Sequence, residues 1–329
     1  LDPLNEGAYQ RLMQAQAVQG HRDATRRTYH KCRDILAREL GVEPMAETTA
    51  LFEGLFSSGS FPQPVSTDLS PAPAPDFPFL GCKAELARLD ELHKGAMMGR
   101  TSLVFIKGEA GIGKTELVFE FWRRANRKHP LLLLNGHAYE SQLETPYTMW
   151  AEALSTLNAP EMQNRLDGLA PIWRGQLSRL VPEISTASPD DRNLTSAESQ
   201  LRFMQGIVQS LIHLAASDRV MLFFDDLHWS DTASLELLHY VARQCRPHPI
   251  LIVGTYRSDA IRGEGGLGRF FSQRRYETIT MSAIEKSDIE ALLERLGYDD
   301  ASNAATRLTS HSQGNRLMLF ETLRFLQDS

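Results

Sequence analysis

Three kinds of residue pattern are scarce in this 329-residue chain, and each scarcity excludes a class of protein. Cysteine occurs three times, at 32, 82 and 245, an odd count without CxxC spacing. That supports neither a disulfide framework nor a zinc site, and it reads as free thiols in a reducing cytoplasm. No apolar run approaches the roughly 18–20 residues that span a bilayer, and no basic-then-apolar leader opens the sequence. Positive charge is not in excess: 35 Lys and Arg stand against 41 Asp and Glu, a formal net charge of −6. A chain that grips nucleic acid through bulk positive charge is thereby excluded, though a local patch is not. An initiator Met is also lacking, and both ends fall at helix-like patterns, which reads as a piece of a longer protein.

What is present is the composition of a globular protein: 42% apolar and 23% charged residues. At about 150 residues per domain, the length suggests about two domains. Composition changes sharply at 57–78 (SSGSFPQPVSTDLSPAPAPDFP), with six prolines, five serines and no Lys, Arg or Glu. Such a stretch buries too little apolar surface to offset its ordering entropy and reads as a linker, at most roughly 70 Å long as polyproline II.

Before it, 1–56 reads as an all-α module. Helical patterns cover 5–19, 23–40 and 44–56, with Gly20 and Gly41 as stops and Asp23 and Pro44 as starts. After the linker, apolar strands alternate with amphipathic helices. The expected strands are Leu103–Lys107, Leu131–Leu134, Val220–Phe224 and Ile250–Tyr256, with a weaker fifth at Tyr276–Met281. The clearest helices are Glu116–Ala125, Leu201–Ala215 and Leu235–Cys245. This alternation predicts an α/β fold with a parallel sheet covered on both faces. The region 79–281 is expected to be that core. From 282 to 329 the pattern is helical only, with Ser287–Glu290 read as a capping box and Gly314 as a helix-terminating C′ residue.

Three stretches carry chemistry. Gly108-Glu109-Ala110-Gly111-Ile112-Gly113-Lys114-Thr115 fits GxxxxGK[ST], the P-loop. Its glycines let the backbone wrap a phosphate, and the following helix N-terminus, through Glu116, adds N–H groups and partial positive charge. Lys114 is expected on the β- and γ-phosphates and the Thr115 hydroxyl on Mg²⁺. Val220–Phe224 then runs into Asp225 and Asp226, placing carboxylates at the carboxyl edge of the sheet. Asp225 fits the Mg²⁺ partner and Asp226 a water-activating base, with helix capping as its alternative. Third, Ile250–Tyr256 ends in Arg257, a cation placed to clamp a γ-phosphate, with a surface ion pair as the alternative. His228, Trp229 and Asp231 are read as structural, Asp231 as a helix cap, and His137 as a residue past a strand without a partner or a metal.

The blocks GEAGIGKTEL, FFDDLHWSD, VGTYRSD and QGNRLMLFETL resemble the ATPase module of STAND proteins, signal-transduction ATPases with numerous domains, and most closely the large ATP-binding regulators of the LuxR type. Residues 1–56 resemble the C-terminal half of a bacterial transcriptional activator domain, carried by Glu6–Met13, Gly20, Ala24, Tyr29 and LARELGVEPMAET. The resemblance implies a P-loop ATPase core followed by the start of a helical lid domain at 282–329, ATP or ADP with Mg²⁺, and phosphates held by Gly111, Gly113 and Lys114. It implies Thr115 and Asp225 on the metal and Arg257 reading the γ-phosphate. It also implies DNA binding through a winged helix upstream, an effector sensed through a C-terminal region beyond this sequence, and nucleotide-dependent self-association. A slow hydrolytic switch is the expectation; a turnover ATPase and a non-hydrolysing scaffold are its rivals. Two positions depart from the family pattern. Cys82 stands where Gly-Arg-x-x-Glu has its Arg, and Arg316 stands where Gly-Asn-Pro-Leu has its Pro. The second change bears on how tightly the lid locks over ADP.

Overall fold

The computed structural model describes residues 78–143, 145–184, 194–260, 266–273 and 276–327, with a few positions between 28 and 52. The chain forms two compact units, Leu1–Pro73 and Ala74–Ser329. In the first, the described positions 28, 29, 33, 48, 49 and 52 are helical. The Tyr29 ring stacks on Phe52 with centroids 4.1 Å apart, and its hydroxyl lies 3.2 Å from Thr49 Oγ1. The rest of the three expected helices and nearly all of the expected linker lie outside the described residues.

The second unit begins with α1 (Lys83–Met97), β1 (Ser102–Gly108), α2 (Lys114–Lys128) and β2 (Leu131–His137). Helices α3 (Thr148–Ser155), α4 (Pro160–Gln163), α5 (Pro171–Leu177) and α6 (Ser196–Ser217) follow. Then come β3 (Arg219–Asp225), α7 (Thr232–Gln244), β4 (Ile250–Arg257), α8 (Gly266–Gln273) and β5 (Glu277–Thr280). The chain continues through α9 (Lys286–Arg295), α10 (Ala301–Ser312) and α11 (Arg316–Gln327). All four strongly read strands form, each extended by one to three residues, and the weaker fifth forms as β5.

The sheet is parallel throughout, in the order β2-β3-β4-β1-β5. Its strands are apolar on both faces because both faces are covered. Along β3, Met221 and Phe223 face a core shared with Leu89 of α1 and Leu117 and Phe121 of α2. Val220, Leu222 and Phe224 face the opposite core, shared with Trp150, Leu211 and Leu238. Period-2 alternation thus feeds two layers of helix rather than one layer and solvent. Burying Phe223 or Phe224 in full contributes about 1.5–3 kcal/mol each relative to exposure.

The last three helices have a core of their own, built by Ile284, Ile289, Leu293, Ala305, Leu319 and Leu323, with Leu80 joining from the lead-in segment. Gly314 is the C′ residue of α10, at φ 73° after Gln313 at φ 51°. The capping-box reading of Ser287–Glu290 is corrected. Helix α9 starts two residues earlier, with Glu285 at its N-cap, and the Ser287 hydroxyl turns back to the Glu285 carboxylate at 3.4 Å. A reciprocal capping box does open α6, between Thr195 and Glu198.

Candidate nucleotide site

Strand β1 ends at Gly108 and α2 begins at Lys114, so the P-loop is the turn between a buried strand and a helix N-terminus. Gly111 and Gly113 adopt φ of 73° and 96°, in the left-handed region. A Cβ on Gly113 would stand 2.5 Å from the Arg316 side chain, so this position is closed to larger residues by backbone and neighbour alike. The first N–H groups of α2, at Lys114, Thr115 and Glu116, have no intrahelical acceptors, which makes the end of the loop an anion cradle. The Glu116 carboxylate itself pairs with Arg123 at 2.9 Å, so only the main chain of Glu116 serves the loop.

Lys114 is buried, and its Nζ donates to Gly108 O at 3.2 Å and Glu109 O at 3.0 Å. Burial lowers its pKa, with Arg257 adding to the effect and Asp226 and Asp225 opposing it. Its ammonium is folded back onto the loop's own carbonyls, which a phosphate would replace as the stronger, charge-assisted partner.

Asp225 ends β3 and is buried. Its Oδ2 accepts from Thr115 Oγ1 at 2.7 Å, and its Oδ1 accepts from Thr255 Oγ1. Hydroxyl and carboxylate at one point form the hard-oxygen donor pair that Mg²⁺ prefers, so these residues fit the cation. Asp226 follows in the left-handed conformation, φ 53°, and begins a short helical turn, Leu227–Trp229, without capping it by its side chain. Asp231 does cap α7, accepting from Ser234 N at 2.8 Å.

Arg257 ends β4 in register with Gly108, and Ser258 N donates to Gly108 O at 3.3 Å. The strand-end cation therefore flanks the P-loop. Its charge weighs against protonation of both Lys114 and His228.

The reading of His137 is corrected. It ends β2 in register with Asp225, and its ring lies between the carboxylates, 3.7 Å from Asp225 Oδ2 and 3.8 Å from Asp226 Oδ2. The main-chain N–H of His137 donates to Glu152 Oε2 at 3.1 Å, and burial raises the Glu152 pKa. His228 lies on the other side, with Nδ1 3.7 Å from Asp226 Oδ1. Its side chain is buried, both ring nitrogens lack a hydrogen-bond partner, and desolvation lowers its pKa. Neither histidine was legible as a site residue, because neither the pairing of β2 with β3 nor the turn at Asp226 is written in local pattern.

The C-terminal helices reach the loop from the other side. Asn315 Nδ2 donates to Ala110 O at 2.8 Å, Leu317 N to Gly111 O at 3.0 Å, and Arg316 Nη1 to Ile112 O at 2.6 Å. Arg316 is buried, and its Nη2 also donates to Leu80 O and Cys82 Sγ, each at 2.9 Å.

Residues 78–253 match the family described as AAA ATPase domain. The chain belongs to that family. Residues 1–55 match the bacterial transcriptional activator domain, so this AAA ATPase carries the domain combination of a regulator. An uncharacterized protein of Rhizobium meliloti, R02095, is 27% identical over 192 residues. The match covers 55% of this chain and 18% of that protein, so the AAA chain spans under a fifth of its relative's length. Among solved structures, the Walker-type ATPase PABY2304 of Pyrococcus abyssi is similar at 15% identity, covering 76% of this chain and 68% of that one, with a TM-score of 0.47. A STAND protein with a tetratricopeptide repeat sensor from Pyrococcus horikoshii, PH0952, matches at 16% identity over 75% and 30%, with a TM-score of 0.40.

Proposed function

We propose that the chain is the ATP-binding switch of a bacterial transcriptional regulator, hydrolysing ATP slowly with Mg²⁺ and using the nucleotide state to set the position of its C-terminal helices. One observation carries this reading. Three consecutive P-loop carbonyls, of Ala110, Gly111 and Ile112, each accept from one of the consecutive residues Asn315, Leu317 and Arg316. A loop that wraps phosphate with its N–H groups is held by a lid on its carbonyls, so loading the loop and docking the lid act on the same peptide units.

In this reading Lys114 leaves Gly108 O and Glu109 O for the β- and γ-phosphates. Thr115 and Asp225 would hold Mg²⁺, whose chemistry there would be neutralisation of phosphate charge. Asp226 takes a proton from the attacking water, and Arg257 clamps the γ-phosphate from the end of β4. ATP and ADP then shift the lid only as far as they bind its two positions unequally. A swing from 1:99 to 99:1 takes about 5.5 kcal/mol of differential binding. DNA contact, effector sensing and self-association are assigned to regions outside this chain or to its ATP state.

The test is alkylation of Cys82 followed by peptide mass spectrometry, without nucleotide, with ADP and with a non-hydrolysable ATP analogue in Mg²⁺. Cys82 lies under Arg316, so its labelling rate reports docking. A rate that differs between ADP and the ATP analogue supports the switch; identical rates with both nucleotides bound contradict it.

A further inference from the structure

Two adjacent carboxylates at a strand end should diverge. Successive strand residues point to opposite faces, and like charges repel. Asp225 and Asp226 nevertheless both meet the His137 ring, at 3.7 and 3.8 Å. The left-handed backbone at Asp226 breaks the alternation and turns the second carboxylate back toward the first. Aspartate enters that region more readily than most residues with a Cβ, so the turn is accessible to Asp226, and a hydrogen bond from outside the turn selects it.

The group that selects it is on the neighbouring strand. Thr255 of β4 is fully buried. Its hydroxyl donates to Asp225 Oδ1 and accepts from the Asp226 main-chain N–H at 2.9 Å, the shorter arm of a bifurcated bond whose longer arm, 3.2 Å, reaches the same Asp225 Oδ1 that Thr255 holds. One oxygen thereby fixes the plane of the first carboxylate and the turn that aims the second. With Thr115 on Oδ2, both oxygens of Asp225 are held by hydroxyls. Thr255 lies two residues before Arg257, on the same face of β4, so one short strand end serves the metal-side carboxylate, the water-side carboxylate and the γ-phosphate.

We infer that Thr255 is the positioning residue of the hydrolytic site, setting the rotamer of Asp225 and the left-handed turn of Asp226 through a single hydroxyl. Only the kinetic arm of its test rests on the proposed ATPase reading. The shape-conserving Thr255→Val removes the hydroxyl and keeps the packing; Thr255→Ser keeps the hydroxyl and loses a methyl.

Amide exchange at Asp226, followed by NMR in the nucleotide-free full chain, should quicken roughly ten-fold or more in Thr255→Val and stay near the parent rate in Thr255→Ser. In steady-state hydrolysis, Thr255→Val should lower kcat roughly ten- to a hundred-fold with KM nearly unchanged, and Thr255→Ser should keep most of the rate. Unchanged exchange in Thr255→Val overturns the inference. So does equal loss in both variants, which would mean that packing, not the hydroxyl, matters. A parent protein that binds ATP and never hydrolyses it removes the ATPase reading instead, while exchange still decides the role of Thr255.

Discussion

Arg316 donates through Nη2 to the sulfur of Cys82, 2.9 Å away across 234 residues of sequence. These are the two positions where the chain departs from the family pattern, and they touch. The Arg316 guanidinium also holds Leu80 O and Ile112 O and lies 5.7 Å from the Phe79 ring centroid. The lid is thus tied to the lead-in segment and the P-loop at once. Replacing Arg316 by Ala removes three donor contacts and leaves two buried carbonyls without this partner. We expect Cys82 alkylation in the nucleotide-free protein to rise roughly ten-fold or more, with the parallel core intact by circular dichroism. Unchanged labelling would show that the lid stays docked without the guanidinium.

Gly113→Ala should be destabilising for two separable reasons. The backbone sits at φ 96°, and the new Cβ would meet Arg316 Cδ at 2.5 Å. The combined cost is expected to be about 2–4 kcal/mol in urea unfolding. Adding Arg316→Ala should recover the steric part, giving a coupling of about 1 kcal/mol or more in a double-mutant cycle. Strict additivity would mean that the two side chains do not meet.

Cys245 gives a pH prediction. It is fully buried, and desolvation pushes its thiol up to about 12. An unfolded thiol titrates near 9, so between about 9 and 12 the unfolded chain binds fewer protons than the folded one. Stability must therefore fall as pH rises through that window, by about 1.4 kcal/mol per pH unit at most for this group. Cys245→Ala should flatten that part of the denaturation profile, and an unchanged slope above pH 9 would contradict it.

The strands and the P-loop were legible because their signals are local. Val220–Phe224 is apolar on both faces, and GxxxxGK[ST] is contiguous. His137 was not, because its meaning depends on which strand lies beside β2. Once β2 pairs with β3, their seven-residue spans align end to end and bring His137 to Asp225. Thr255 lies inside an apolar strand whose one charged residue, the terminal Arg257, carries the local signal. The contact of Arg316 with Cys82 is a tertiary fact between two segments that each read as a local deviation. Ser287 is the opposite case: a capping-box pattern stands two residues past the true N-cap, Glu285.

The P-loop should bind ATP through Lys114 and the cation held by Asp225. Isothermal titration of the full chain with ATP and Mg²⁺ reads that binding. One ATP should bind per chain, and Lys114→Ala should weaken that binding roughly ten- to a hundred-fold, the worth of a lost charge-assisted hydrogen bond. ATP binding with the parent affinity in folded Lys114→Ala, or no binding by the parent chain, would contradict it.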